Sequence, residues 1–164
     1  MTTLRTVMAK HKRMITGDCG EFYVASLLAG IGADVTIERV NAKRNDLKVT
    51  LGRRSFSVQV KAGRSHTNEA RIRTPDESYW VWRAGKKCAD ITDPNHWYAF
   101  VYLGEWPKRG DPPMAFFVSS ERVVKTLSDQ VTRGEWFWMY KSDAEKHCGL
   151  PGLKRMKNAI IGLR

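Results

Sequence analysis

The sequence predicts an α/β fold in which helices flank a mixed central sheet. Three observations predict it. A helical pattern near the N-terminus is followed by three consecutive strand patterns, later strands alternate with helical stretches, and neither a repeat nor a low-complexity linker divides the chain. With 164 residues, 42% of them hydrophobic, the chain fits one domain, 1–164, around one well-buried core.

The N-terminal part begins with a basic arm, 1–15, whose sequence is compatible with a helix, followed by a helix over 18–29 that ends at Gly30 and Gly32. Period-2 alternation and β-branched residues predict three strands, and a polar loop follows them. These segments are 33–40, 46–51, 54–61 and the loop 62–76. We take 16–65 as one αβββ unit.

The remaining part, 66–164, supplies the rest of the sheet and its flanking helices. Short aromatic or aliphatic runs predict strands, and an amphipathic stretch with Ser120 as its cap predicts a helix. The strands are 79–82, 97–103, 114–120 and 136–140, the helix is 120–131, and short helices are expected in 141–147 and 153–164.

The charge balance favours an anionic partner. The chain has 28 Lys and Arg against 17 Asp and Glu, a formal net charge of +11. Such an excess attracts polyanions and indicates a nucleic acid, with a merely soluble basic surface as the alternative.

Cysteine usage and hydropathy predict a cytoplasmic protein. The three cysteines are widely spaced without a CxxC pair, which is typical of a reduced compartment. The basic N-terminus lacks the apolar segment of a secretory signal, and the longest apolar run, 97–103, is too short to cross a bilayer.

A hairpin rule predicts which polar residues face each other. Gly52-Arg53 suits a two-residue turn of type II′, which pairs Leu51 with Arg54. The same register places Asp46 opposite Gln59, with Lys61 further along that face. A solvated hairpin face is the alternative, and a slip of two residues would keep the apolar face intact.

Glu21 begins a helical stripe that continues through Val24, Ala25 and Leu28. A carboxylate on an inward stripe must be paired, hydrogen-bonded or bound to a metal. One alternative is a capping box, in which Glu21 returns to the backbone of Asp18.

The segment "GEFYVASLLAGIGADVTIERVNAKRNDLKVTLGRRSFSVQVKAGRS", 20–65, resembles the PD-(D/E)XK nuclease superfamily, whose restriction-endonuclease-like fold also includes archaeal-type Holliday junction resolvases. The resemblance implies an αβββαβ core. It places the family's helix acid on Glu21, its strand aspartate on Asp46, and its (D/E)-x-K pair on Gln59-Val60-Lys61. Gln59 stands where most members have an acid, which makes this a Q-x-K variant with one negative charge fewer.

The resemblance implies a Mg²⁺- or Mn²⁺-dependent DNA endonuclease. The cation ligands would be Asp46, Gln59, the Val60 carbonyl and Glu21, and Lys61 would orient the attacking water. A non-catalytic nucleic-acid-binding module on the same fold is the alternative. Cutting both DNA strands with one site per chain would favour a C₂ homodimer.

Four residues of the predicted loop beside the expected site, Arg64, His66, Arg71 and Arg73, are candidates for phosphate contacts, with a disordered polar loop as the alternative. Lys12 and Arg13 in the arm are candidates for non-specific phosphate contacts, with plain surface charge as the alternative. The paired tryptophans Trp80/Trp82 and Trp136/Trp138 favour core or dimer packing over base stacking, which stays open. The histidines show no zinc spacing, and Asp93 and His96 are expected to cap or turn the chain.

Overall fold

A computed structural model describes residues 4–38, 46–64, 79–108, 110–128 and 135–162, with side chains of the first helix from Ile15 onward. In chain order the elements are α1 (Leu4–Gly30), β1 (Asp34–Ile37), β2 (Leu47–Leu51), β3 (Arg54–Gly63), β4 (Tyr79–Arg83), a 3₁₀ helix (Lys86–Asp90), β5 (His96–Tyr102), β6 (Met114–Ser119), α2 (Ser120–Ser128), β7 (Trp136–Tyr140), α3 (Lys141–Ala144) and α4 (Gly149–Gly162). No helix of the described residues is long and apolar enough to span a membrane.

The main departure from the predicted elements is the length of α1. The helix runs without interruption from Leu4 to Gly30, so the described part of the expected arm belongs to the same helix. The predicted strand 33–40 is found as Asp34–Ile37, with 39–40 outside the described residues. The end of the predicted helix 120–131 and most of the predicted loop 62–76 also lie outside them.

The predicted mixed sheet is confirmed. Five strands lie in the order β1-β2-β3-β5-β6, and a separate two-stranded ribbon pairs β4 with β7. The β3–β5 pair is parallel, whereas the other neighbours in both sheets are antiparallel. A parallel pair needs a crossover connection, and the described part of that connection contains β4 and the 3₁₀ helix.

Helices α1 and α4 cover one face of the five-stranded sheet. Val24 and Leu28 of α1, together with Met156 of α4, are buried in a cluster that includes Val58 and Val60 of β3. Gly20 allows α1 to approach β3 closely, since a Cβ there would lie 2.4 Å from the Ala62 Cβ.

The opposite face carries a second, largely aromatic core beneath the β4–β7 ribbon and α2. Trp82 of the ribbon packs on Phe100 and Phe116 of the sheet, with ring centroids 5.3 and 5.2 Å apart. Phe100 and Phe137 stack at 4.2 Å. The sheet is therefore buried on both faces, which explains why His96–Val101 of β5 is buried throughout.

His147 fixes the chain between α3 and α4 to the rest of the fold. Its ring nitrogens lie 3.0 Å from the Phe117 carbonyl oxygen and 2.9 Å from Arg122 Nη1, and Arg122 also pairs with Asp143. Burial lowers the pKa of His147 below its ordinary value; the Phe117 hydrogen bond and Asp143 act against this, and Arg122 and Arg155 act with it.

Candidate active site

The β2–β3 hairpin has the predicted register. Leu51 pairs with Arg54 and Leu47 with Val58, and Gly52 in the turn has a positive φ of 62°. The Asp46 N–H donates to the Val58 carbonyl at 3.2 Å, which ties Asp46 to β3 at the residue that already pairs with Leu47.

Strand β3 divides its side chains between two environments. Phe56, Val58 and Val60 point into the core under α1. Ser57, Gln59 and Lys61 alternate with them and line a cleft on the other face of the sheet. The polar half of the strand is thus directed toward a concave surface and not toward bulk solvent alone.

The cleft has a volume of about 1040 Å³. One wall is the polar face of β3, and the other is the 3₁₀ helix with the segments on either side of it. Its lining residues are Ser57, Gln59, Lys61, Ala84, Gly85, Lys86, Lys87, Cys88, Asp90, Ile91, Thr92, Asp93 and His96. Three of them are lysines and two are aspartates, so the cleft carries a small positive excess.

Asp46 is held at the edge of β3 by a backbone hydrogen bond. The Val60 N–H donates to Asp46 Oδ2 at 2.6 Å. Burial raises the pKa of Asp46 above its ordinary value, although the Val60 hydrogen bond and the nearby Lys61 charge act in the opposite direction. Asp46 is therefore a partly desolvated carboxylate within the field of a cation.

The Val60 carbonyl points to the same edge as Asp46. Ser57 N–H bonds to Asn95, and the Gly63 carbonyl bonds to Leu103, so odd-numbered residues of β3 direct their backbone groups toward β5. Even-numbered residues direct theirs to the other edge, as the Val58 carbonyl does in bonding to Asp46. Val60 follows the even pattern, so its carbonyl oxygen and the Asp46 carboxylate lie at one strand edge.

The Gln59 amide oxygen faces the cleft wall, whereas the predicted pairing of Gln59 with Asp46 is not part of the observed register, which ends at Leu47–Val58. Cys88 Sγ lies 3.6 Å from Gln59 Oε1 and 3.1 Å from the Ala84 carbonyl oxygen. Because a thiol has a single weak donor, the Gln59 oxygen keeps acceptor capacity.

The Lys61 charge acts on two titratable groups near the end of β3. Burial raises the pKa of Asp46, and Lys61 opposes this shift; burial lowers the pKa of His96, and Lys61 adds to that shift whereas Asp93 opposes it. The structure therefore brings Asp46, Gln59, the Val60 carbonyl and Lys61 to one end of β3.

Glu21 belongs to α1, which packs on the Val58 and Val60 side of the sheet. Among the described residues that line the cleft, Glu21 does not occur. The alternative capping role is wrong, because the helix begins at Leu4 and the Asp18–Glu21 segment lies inside it. Asp46 does not occur in the cleft lining either, and Gly20, next to Glu21 in α1, lies against Val60 and Ala62 of β3.

A serine–histidine pair in the cleft was missed by the sequence analysis. Ser57 Oγ and His96 Nδ1 are 2.8 Å apart, and His96 is only 2% exposed. Asp93 accepts from the Asn95 N–H, which confirms the predicted turn role of Asp93. Ser57 shares the Gln59 face by period 2, but His96 reaches it only through the parallel β3–β5 pairing.

Of the candidate phosphate-binding residues, the structure describes the side chain of Arg64 and not those of the others. Arg64 Nη1 donates to the Gly104 and Trp106 carbonyls at 3.1 and 2.8 Å, so it anchors the turn after β5. His66, Arg71 and Arg73 lie outside the described residues, and so do the side chains of Lys12 and Arg13. Lys86 and Lys87 in the cleft wall were not predicted; both are exposed.

The oxygen donors at the end of β3 fit a hard divalent cation with few protein ligands. Asp46 Oδ1, the Val60 carbonyl and the Gln59 amide oxygen are the ligand types that Mg²⁺ accepts, with waters or phosphate oxygens completing the shell. Within the described part of the chain, no three His, Cys, Asp or Glu side chains are grouped to hold a metal ion. Any cation there would thus depend strongly on one carboxylate.

Comparisons of the chain with family models, curated proteins and solved structures gave no match.

Proposed function

We propose that the protein is a metal-dependent DNA endonuclease of the PD-(D/E)XK type, using the Q-x-K variant of the site. The observation that carries the proposal is the Asp46 carboxylate held at the edge of β3. Asp46 Oδ2 accepts from the Val60 N–H at 2.6 Å, and Gln59 and Lys61 flank Val60 on the same strand. Burial raises the pKa of Asp46, and the nearby Lys61 charge opposes that effect. Fold likeness alone would not support an activity; this local geometry does.

Each group has a role that follows from its chemistry. Asp46, the Val60 carbonyl and Gln59 would hold Mg²⁺ or Mn²⁺, which when bound polarises a phosphoryl oxygen and acidifies a water. Lys61 would orient the attacking water and balance the negative charge that builds at phosphorus. The lysines Lys86 and Lys87 on the opposite wall would contact the DNA backbone.

The test is a cleavage assay with Mg²⁺ and Mn²⁺ on duplex, junction, flap and single-stranded DNA. Asp46→Asn keeps an oxygen that can accept from the Val60 N–H but removes the negative charge, so it separates chemistry from folding. We expect Asp46→Asn and Lys61→Ala each to reduce cleavage by about 100- to 1,000-fold while DNA affinity changes little.

Lys154→Ala is the matched control. Lys154 is exposed on α4, which covers the other face of the sheet, so this variant also loses one positive charge but should keep full cleavage. Wild-type rates in Asp46→Asn or Lys61→Ala would exclude this site.

A non-catalytic DNA-binding module is the second candidate, because the described residues hold no cluster of three metal-ligating side chains. Calorimetric titration with Mn²⁺ separates the two. Heat of binding that disappears in Asp46→Asn supports the nuclease, whereas DNA binding without any Asp46-dependent heat supports the binding module.

A further inference from the structure

The β4–β7 ribbon has one buried and one outward aromatic face. Trp82 and Phe137 are paired on the buried face, and Trp82 is 2% exposed. On the outward face, Trp136 and Tyr140 are 48% and 46% exposed. Tyr79 and Trp138, also on the outward face, are half-buried. We call Tyr79, Trp136, Trp138 and Tyr140 the aromatic face. The two tryptophan pairs of the sequence therefore have different environments.

The rings of the aromatic face support one another. Trp138 makes edge-to-face contacts with Tyr79 at 6.3 Å and Tyr140 at 5.1 Å between ring centroids. Alternate residues of a strand are about 7 Å apart, so Trp136, Trp138 and Tyr140 form a row about 13 Å long. Aromatic side chains with two rotatable bonds offer contact area at little cost in conformational entropy.

A small cleft of about 230 Å³ borders this row beside Trp138 and Tyr140. Arg122, Thr126 and Asp143 supply polar groups to its lining. The volume is below the range for drug-sized ligands, and we take it to suit one small planar group such as a nucleobase.

The charges around the aromatic face favour a polyanion over a second copy of the chain. The ion pairs that flank the ribbon and this cleft join four cations, Arg83, Lys86, Arg122 and Lys146, to two acids, Glu135 and Asp143. A second copy would bring the same positive excess, part of a net charge of +11. Exposed aromatic rings within a positive field are the features by which proteins bind unpaired nucleic acid strands.

The row of rings begins beside the candidate active site. Trp136 pairs with Arg83, and the next two residues, Ala84 and Gly85, line the large cleft. The Gly85 N–H donates to the Glu135 carbonyl at 3.0 Å, which ties this end of β7 to the cleft wall. The row thus runs from the cleft outward to Tyr140.

We propose that the aromatic face is a binding site for single-stranded DNA, on which successive unpaired bases stack. An unpaired strand lying on the row would lead into the large cleft at its Trp136 end. The binding site stands on the ribbon alone, whereas delivery of the strand to a cleaving centre rests on the proposed function.

The test measures fluorescence anisotropy of a labelled oligothymidylate of about 20 nucleotides in EDTA, where no cleavage occurs. We expect Trp136→Ala and Tyr140→Ala each to weaken binding about 5- to 150-fold, the range for loss of one stacked base. The salt dependence should stay unchanged, because no phosphate contact is lost. Trp136→Phe should retain most of the affinity.

Phe22→Ala is the matched control, since Phe22 is an aromatic residue 52% exposed on α1, away from the ribbon. Its affinity should equal that of the wild type, and circular dichroism spectra of all variants should coincide. Asp46→Asn should bind the oligonucleotide normally, so loss of cleavage and loss of this site are distinguishable.

Two results would overturn the proposal. In the first, Trp136→Ala and Tyr140→Ala bind as tightly as Phe22→Ala, or weaken duplex and single-stranded DNA by equal factors. In the second, the wild type is a dimer, Trp136→Ala converts it to a monomer, and single-stranded DNA does not dissociate it. The aromatic face would then be a self-association surface.

Discussion

Replacing Gly20 by alanine tests how α1 is seated on β3. An added Cβ would lie 2.4 Å from the Ala62 Cβ and 3.3 Å from Val60 Cγ1. Ala62 cannot rotate its Cβ away, so the helix or the strand must move. Gly17 is three residues earlier in the same helix, and a Cβ there would meet nothing within 4 Å.

The two glycines share their helix propensity, so comparing them isolates the steric cost. Gly to Ala in a helix interior gains about 1 kcal/mol, whereas overpacking costs about 1–3 kcal/mol. Gly17→Ala should therefore be stabilised by up to about 1 kcal/mol. The free energy of unfolding of Gly20→Ala should be about 1–3 kcal/mol lower than that of Gly17→Ala, which for a chain of this size corresponds to a Tm lower by about 2–12 °C.

Urea unfolding followed by circular dichroism gives both free energies of unfolding. Equal stabilisation of Gly17→Ala and Gly20→Ala would refute the close contact between α1 and β3. It would also remove the reason for placing the helix of Glu21 on the face opposite the cleft.

Three further predictions concern stability. Arg64→Ala should lower the free energy of unfolding by about 1 kcal/mol, because the Arg64 guanidinium donates to two carbonyls of the turn after β5. An unchanged urea unfolding curve would show that these hydrogen bonds do not stabilise the fold. Trp82→Ala should lower the free energy of unfolding by about 3–5 kcal/mol, and Trp136→Ala by about 1 kcal/mol or less, because only Trp82 is buried. A larger loss of Tm for Trp136→Ala than for Trp82→Ala would contradict the assignment of the buried and outward faces of the ribbon. Because the pKa of folded His147 lies below the ordinary 6.5, the unfolded chain binds protons first as pH falls. The stability that neutral His147 contributes is therefore fully present above about pH 6.5 and is lost as the pH falls further. His147→Asn should flatten the dependence of Tm on pH between about pH 7 and 5, and an unchanged slope would contradict this.

Local rules predicted the part of the site that lies on one hairpin. Turn chemistry at Gly52 and period-2 alternation in β3 were sufficient for the register from Leu47–Val58 to Leu51–Arg54, which the structure confirms. Both depend only on residues close in sequence. The predicted pairing of Asp46 with Gln59 is not part of that register, because the Asp46 N–H bonds to the Val58 carbonyl.

What could not be predicted depends on distant contacts. His96 joins the cleft through a parallel pairing across more than thirty residues, and Cys88 through a 3₁₀ helix with no strong periodic signal. The stripe Glu21–Leu28 reveals an inward helix face but not which face of the sheet the helix covers, and α1 covers the face opposite the cleft. Arg64 was assigned to phosphate because no sequence pattern reveals the Gly104 carbonyl beside it.

The parallel pairing of β3 with β5 also constrains the order in which the chain can fold. Helix α1 and the β1–β3 meander can assemble locally, but the second edge of β3 stays open until His96–Tyr102 has been synthesised and docked. Bringing β5 to β3 closes a long loop, and the chain loses this conformational entropy before the new contacts form. We therefore expect this step to limit the folding rate. A chain ending at residue 64 would keep Asp46, Gln59 and Lys61 yet leave that strand edge open to intermolecular pairing and aggregation.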